Sequence, residues 1–384
     1  MKKNLLAAAL FGCIGATAHA QSSVVLYGLI DAGISYVNHS GTATTQAHSL
    51  TKFDDGVSQG SRWGLRGSED LGGGLKAIFV LENGFNVGNG QLRQGSREFG
   101  RQAFVGITKD GIGAFTLGRQ YAFSTDFLSA YSTGGQTVGG NYAYHINDVD
   151  GLMSARIDNS IKFTSANFAG LTFGALYGFS NQAGAFGGSP TGGSRTYSFG
   201  VNYANGPIGV GAAYTDIRYP NSTSAGYPTP TTIANASFEG FQELRSFGVG
   251  GRYLIGPATL WALYTNTRYV PAAGAAAQFD AYDIGGKYAF TPALTGALGY
   301  TYMNLGNGSD SIKGHWNQIN ASVDYALSKR TDVYVLGIYQ IASGHSGAQA
   351  LQAAIGSNTR AYFDTSGTDA DNQLAFRVGI RHRF

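Results

Sequence analysis

Charge is scarce in this chain. Only 13% of its 384 residues are Asp, Glu, Lys or Arg, against about 25% in an ordinary soluble domain. Proline is scarce as well, with 8 residues, and cysteine occurs once, at Cys13. The charge deficit comes with 58 glycines, 23 tyrosines and 23 phenylalanines. That combination excludes an ordinary soluble globule. It also excludes a disordered chain, which needs low hydrophobicity and high net charge. A long apolar run is missing too. After residue 20 nothing approaches the ~18 apolar residues of a membrane helix. The remaining way to cross a membrane is a closed barrel of strands, whose backbone groups satisfy one another.

The one apolar run lies at the start. Lys2 and Lys3 supply charge, residues 5–18 are apolar, and Ala18-His19-Ala20 fits a small-residue cleavage site. This predicts a cleaved export signal over 1–20 and one domain over 21–384. The segment Leu10 to Cys13 loosely resembles a lipoprotein box. Phe11 fits poorly there, and cleavage at that point would cut the apolar run short. Cys13 leaves with the signal, so the mature chain has neither a disulfide nor a Cys metal ligand. Losing Lys2 and Lys3 takes the formal charge from +3 to about +1. So small a charge gives no reason to expect a nucleic-acid partner.

The rest of the chain alternates. In the first run Leu26, Gly28 and Ile30 share one face, and Tyr27, Leu29 and Asp31 the other. In the last run Phe376, Val378, Ile380, His382 and Phe384 share a face opposite Arg377, Gly379, Arg381 and Arg383. A period of two gives the two faces of a barrel wall. An arginine on the lipid side at mid-bilayer costs about 2–4 kcal/mol, so these arginines point to a wet interior or sit near an interface.

Tight turns recur at Glu69–Gly74, Lys109–Gly113, Asn167–Gly170, Asn205–Pro207, Gly256–Pro257, Thr291–Pro292 and Leu327–Thr331. Longer polar stretches separate them, at roughly 38–57, 87–96, 121–156, 181–195, 219–241, 271–279, 305–314 and 342–371. Short turns at one end and long loops at the other are the asymmetry of an outer-membrane barrel. Seven hairpins with a first and a last strand make sixteen antiparallel strands, enough to leave an aqueous lumen.

The stretch from Gly118 to Ser160 is unusually long for a connection. It follows the fifth strand and is expected to fold into the lumen and narrow it. Parity predicts Trp63 and Leu65 facing lipid, with Arg62 and Arg66 facing the lumen. It also predicts Phe104 facing lipid, with Arg101, Ala103 and Val105 facing inward, and Ile161 and Phe163 facing lipid, with Arg156, Asp158, Ser160 and Lys162 inward if the strand extends back that far. Arg62, Arg66, Arg101, Arg119 and Arg156, facing Asp126, Asp148 and Asp150 of the loop, form the expected constriction. Such an arrangement sets ion selectivity by attraction and repulsion; the same arginines could instead only hold the loop in place by pairing with its acids. Arginines outnumber these acids, which predicts a weak anion preference.

No chemical site emerges elsewhere. The histidines show no ligand spacing, no Ser sits in a strand-to-helix elbow, and glycine clusters such as Gly248 to Gly251 lie inside strands. No catalytic residue, metal site or cofactor is expected. The rival readings are a substrate-specific channel, a barrel enzyme and a passive structural barrel.

Several segments carry a resemblance to a family. Gln21–Gly33, Ser61–Phe79, Gly100–Ile107, Leu117–Gln120 and the terminal Phe384 resemble the trimeric general-diffusion porins of Gram-negative bacteria, of the beta-proteobacterial type. The likeness covers the whole mature chain. It implies a homotrimer in the outer membrane, in contact with lipid and lipopolysaccharide. It implies passive diffusion of small hydrophilic solutes and ions, with the third loop opposed by arginines at Arg62, Arg101 and Arg156. It also implies that the assembly machinery reads the last strand through Phe384. The modest acidity of 121–150 departs from some members and leaves the acidic partners open.

Overall fold

The computed structural model describes residues 23–220, 232–233, 236–237, 241–271, 276–306, 312–356 and 362–384. The expected export signal over 1–20 lies outside them, as do parts of four expected loops.

The strands are β1 (Ser23–Ser40), β2 in two pieces (His48–Asp55 and Arg62–Gly72), β3 (Leu75–Gly84), β4 (Gln102–Lys109), β5 (Gly113–Tyr121), β6 (Arg156–Ser165), β7 (Leu171–Gly178) and β8 (Arg195–Asn205). They continue as β9 (Ile208–Arg218), β10 (Phe241–Ile255), β11 (Ala258–Pro271), β12 (Ala277–Ala289), β13 (Leu294–Gly306), β14 (Ile312–Ala326), β15 (Thr331–Ser346) and β16 (Asn372–Arg383). Each pairs antiparallel with the next, and β16 pairs with β1 from Leu29↔Arg383 to Val37↔Ala375. The result is a closed barrel of 16 strands. Closure leaves no strand edge to meet hydrocarbon.

All seven predicted turns join neighbouring strands. Two of them, Gly206-Pro207 and Gly256-Pro257, begin at φ +55° and +56°. Glycine takes that left-handed conformation without strain, and proline then holds φ near −65°. The pair suits the tight hairpins that match strand twist. The long connections all lie at the other end. One expectation is corrected: 38–57 is not all loop, because His48–Asp55 pairs with β1 from Ala32↔Asp55 to Ser40↔His48. Phe53 faces outward opposite Ile34 and Leu50 inward opposite Val37, so the apolar residues fall on both faces and leave no alternation to read in the sequence.

Parity holds at both ends of the chain. Ile34 and Val378 are each 61% exposed on the outer face, whereas Asp31 and Arg377 are at most 1% exposed on the inner one. It fails at β4. Val105 and Ile107 are exposed on the outer face, and Phe104 lies inward. The set Gln102, Phe104, Gly106 and Thr108 is the more polar of the two and carries Phe104 inward with it. Gly118 faces Phe104 across the pairing and leaves room for its ring.

The seam between β16 and β1 is closed by matched charges. Arg377 lies 3.4 Å from Asp31 and also binds Asp54. Its Nε donates to the Tyr334 hydroxyl at 2.9 Å, and that hydroxyl donates to Asp31 at 2.6 Å. Lys52 stands 3.7 Å from Asp54. Toward the short-turn end Arg381 and Arg383 share Asp332 at 3.1 and 3.2 Å, with Asp324 at 3.8 Å from Arg381. Four cations thus meet four acids.

The segment 122–155 lies inside the barrel as a chain of short helical turns. Its side chains Phe123, Leu128, Tyr131, Ile146, Val149 and Leu152 are buried against Leu176, Ile217, Leu244, Leu263 and Met303 of the wall. Its far end reaches β2, where the Asn141 amide donates to the Val57 carbonyl at 2.7 Å. Gly140 sits there at φ +48°, and a Cβ would meet the Val57 and Ser58 carbonyls at 2.3 Å. Only glycine fits so close an approach. Tyr142 beside it donates to Ser35 at 2.9 Å and to Asp54, which ties the loop to the seam.

Candidate functional site

The inserted loop leaves β5 at Tyr121 and returns at Arg156. Three arginines gather at this exit. Arg62 of β2 lies 3.5 Å from Glu82 of β3. Arg101, just before β4, donates to the other Glu82 oxygen at 2.7 Å. Its backbone amide binds the Glu82 carbonyl one position off the ladder register, so strand alternation does not govern its side chain. Arg101 and Arg156 each donate to the Tyr121 hydroxyl, at 2.8 and 2.9 Å. Arg156 also stacks over the Tyr121 ring, 4.7 Å from its centroid. Tyr27 completes the group by donating to Glu82 at 3.1 Å.

Two guanidinium groups therefore share the Glu82 carboxylate, and the third, Arg156, joins them through the Tyr121 hydroxyl. A unit charge attracts an ion at 4 Å by about 1 kcal/mol in bulk water, and by more where water is displaced. Planar guanidinium groups suit this crowding because stacking and fixed donors hold them in place while the charge stays on.

The other sequence candidates lie in different surroundings. Arg66 is exposed, four residues nearer the short turns than Arg62, with its guanidinium 5.3 Å from the Tyr27 ring centroid. Arg119 pairs with Asp158, which also binds Arg97 at 2.8 Å. Asp126 pairs with Lys162, whose Nζ also donates to the Tyr121 carbonyl at 2.8 Å. Asp148 is buried within the loop, bound by the Ser154 hydroxyl and by the Met153 amide at 3.2 Å. Burial and the nearby Asp150 raise its carboxyl to about 7. Asp150 faces the far wall, where Thr265 donates to it at 2.6 Å. The loop acids thus bind the loop itself or the wall beside it, and the arginines find their acid on the wall.

Sequence reasoning missed Glu82, Tyr27 and Tyr121. Glu82 was legible in principle, as the one acid on the inward parity of the run Leu75 to Glu82. Nothing in the sequence joins Tyr121 to arginines that lie 20 residues before it and 35 after it. On the short-turn side of the loop lies a cavity of about 490 Å³, lined among others by Gln59, Gln136, Lys287, Asp324 and Arg381. Its lining mixes these polar side chains with apolar ones such as Val138 and Met153.

The comparisons with known proteins agree with this architecture. Residues 5–340 match the Gram-negative porin family. An outer membrane porin protein of Bordetella pertussis is 30% identical over the full length of both chains. Outer membrane porin protein 32 of Delftia acidovorans is 28% identical, again over both full lengths. In fold, the chain is similar to the anion-selective porin from Comamonas acidovorans, with a TM-score of 0.73, 24% identity, and 95% and 100% of the two chains covered. The chain belongs to the Gram-negative porin family, and its barrel is a passive diffusion channel of the outer membrane.

Proposed function

We propose that this channel passes small hydrophilic solutes and ions with a weak preference for anions, set by Arg62, Arg101 and Arg156. The observation that carries the reading is the count of three guanidinium groups against the single carboxylate of Glu82. Arg66 adds positive charge to the approach in this reading, Arg119 is matched by Asp158, and Asp126, Asp148 and Asp150 serve mainly to hold the loop. The solved relative from Comamonas carries anion selectivity in its own description, which is in keeping with the proposal. The test is the reversal potential of the purified protein in a planar bilayer under a salt gradient. An anion-directed potential is expected, and a cation-directed one overturns the reading.

We further read the protein as a non-enzymatic homotrimer, exported through the signal over residues 1–20. The strands β3 to β7 are short, at 8–10 residues, and their outer face with that of β1 carries Val24, Leu26, Val105, Ile107 and Leu117. A low apolar wall suits contact with sister subunits, and the taller strands opposite suit lipid and lipopolysaccharide. Phe384 is exposed on the outer face, and its backbone exchanges two 3.0 Å bonds with Gly28. That exposed end is consistent with recognition by the outer-membrane assembly machinery. Native mass measurement in detergent distinguishes trimer from monomer.

A further inference from the structure

The inserted loop is fixed to the far wall by a buried charge cluster that the conduction path does not use. We infer that His145 is a positioning residue for the pore: its imidazolium, held between Asp150 of the loop and Asp283 of β12, keeps the loop at a fixed distance from the arginine wall. The inference rests on the porin reading above, but concerns the loop's position and not the sign of selectivity.

The geometry has three parts. His145 Nδ1 stands 2.5 Å from Asp150 Oδ2, and its Nε2 3.5 Å from Asp283 Oδ2. Asp283 accepts from the Thr133 amide at 2.8 Å and from its hydroxyl at 2.5 Å, and from Trp261 Nε1 at 3.2 Å. Asp150 accepts from Thr265 at 2.6 Å, while Ser246 donates to the Asp150 carbonyl at 3.3 Å. The cluster therefore grips the loop at Thr133 and again at 145–150, and spans β10, β11 and β12. All three ionisable side chains are at most 1% exposed.

Without a cation between them, two carboxylates at this site would be buried and uncompensated, which strongly destabilises. The remaining titratable groups facing the cluster are Asp148 of the loop and Tyr269 of β11. Neither supplies a positive charge, so among the described residues His145 alone does. Burial pushes the imidazole down, but Asp150 and then Asp283 outweigh it and raise it to about 10. Asp150 moves the opposite way: burial pushes it up, and His145 outweighs burial and holds it below its usual value. The sign follows from linkage. The raised imidazole stabilises the docked loop fully below the ordinary value of 6.5, and that stabilisation is lost as pH rises through about 10.

The test is single-channel recording of the full protein and of H145Q and H145Q/D150N. Native channels should be steady at neutral pH and begin to flicker as pH rises through about 10. H145Q should already close about tenfold more often at neutral pH, from the uncompensated carboxylates. It should also lack the alkaline transition. H145Q/D150N removes one of those carboxylates and should recover most of the steadiness, an outcome a merely space-filling His145 would not give. All three should keep the same sign of selectivity, which separates this test from that of the arginine wall. If H145Q conducts like the native channel with the same pH profile, the inference fails. If H145Q does not assemble, the native pH profile decides, and steady current beyond pH 11 overturns the inference.

Discussion

Two groups of inward arginines sit on the same barrel wall and differ in one respect. At the seam, Arg377, Arg381, Arg383 and Lys52 meet Asp31, Asp54, Asp324 and Asp332, so each cation has an acid. At the loop exit, among the described residues, Arg62 and Arg101 pair with Glu82 alone and Arg156 pairs with no acid. The seam needs neutrality because Arg377 is wholly buried, and an unpaired charge there would cost several kcal/mol. The loop exit keeps excess charge because Arg62 and Arg101 stay partly exposed, while the buried Arg156 donates to the Tyr121 hydroxyl and stacks on its ring. An inward arginine is therefore not by itself a sign of selectivity. The number of acids beside it decides whether it closes the barrel or acts on ions.

The comparison can be broken at either group. The largest effect belongs to the seam. R377A leaves Asp31 and Asp54 buried without their main partner and should destabilise by about 3–5 kcal/mol. The readout is a lower temperature for loss of the folded band in unheated gels, with selectivity unchanged in whatever protein folds. A smaller effect is expected at Glu82. E82Q leaves three guanidinium groups with no carboxylate and should raise anion permeability by up to about fivefold, the equivalent of ~1 kcal/mol for one charge near 4 Å, with an opposite change for cations. The gain should shrink as salt is raised. The smallest effect belongs to Arg66. It lies about 13 Å along the strand from Arg62, by the ~3.3 Å rise of each residue. That exceeds the Debye length of about 10 Å at 0.1 M salt. R66S should therefore leave the reversal potential nearly unchanged at that concentration, and an effect as large as that of Arg62 would extend the site toward the short turns.

Much of the fold was legible because a barrel wall is a local code. Alternation in β1 and β16 and the Gly, Asn and Pro turns each depend on neighbours in sequence. The inserted loop could be recognised by its length, and its partners could not. Parity misled at β4, where a polar set carried Phe104 inward and where Arg101 lies just outside the strand that was meant to orient it. The acids of the loop misled for another reason. Asp148 and Asp150 look like free charges in sequence. Their environment comes from Ser154, from His145, and from Thr265, which lies 115 residues from Asp150. Neither the irregular turns that bring in Ser154 and His145 nor the distant pairing with Thr265 leaves a periodic trace. Glu82 carried the most information and was overlooked because it is a single acid in an otherwise apolar run.

The central claim is that excess guanidinium charge at the loop exit sets ion preference. R62S/R101S reduces that group to Arg156 and Glu82, one charge of each sign. Reversal potentials of the native channel and this variant, measured under the same salt gradient, test the claim most directly. The account predicts an anion-directed potential for the native channel and its loss, or a shift toward cations, in the variant. Equal potentials in the two would contradict it.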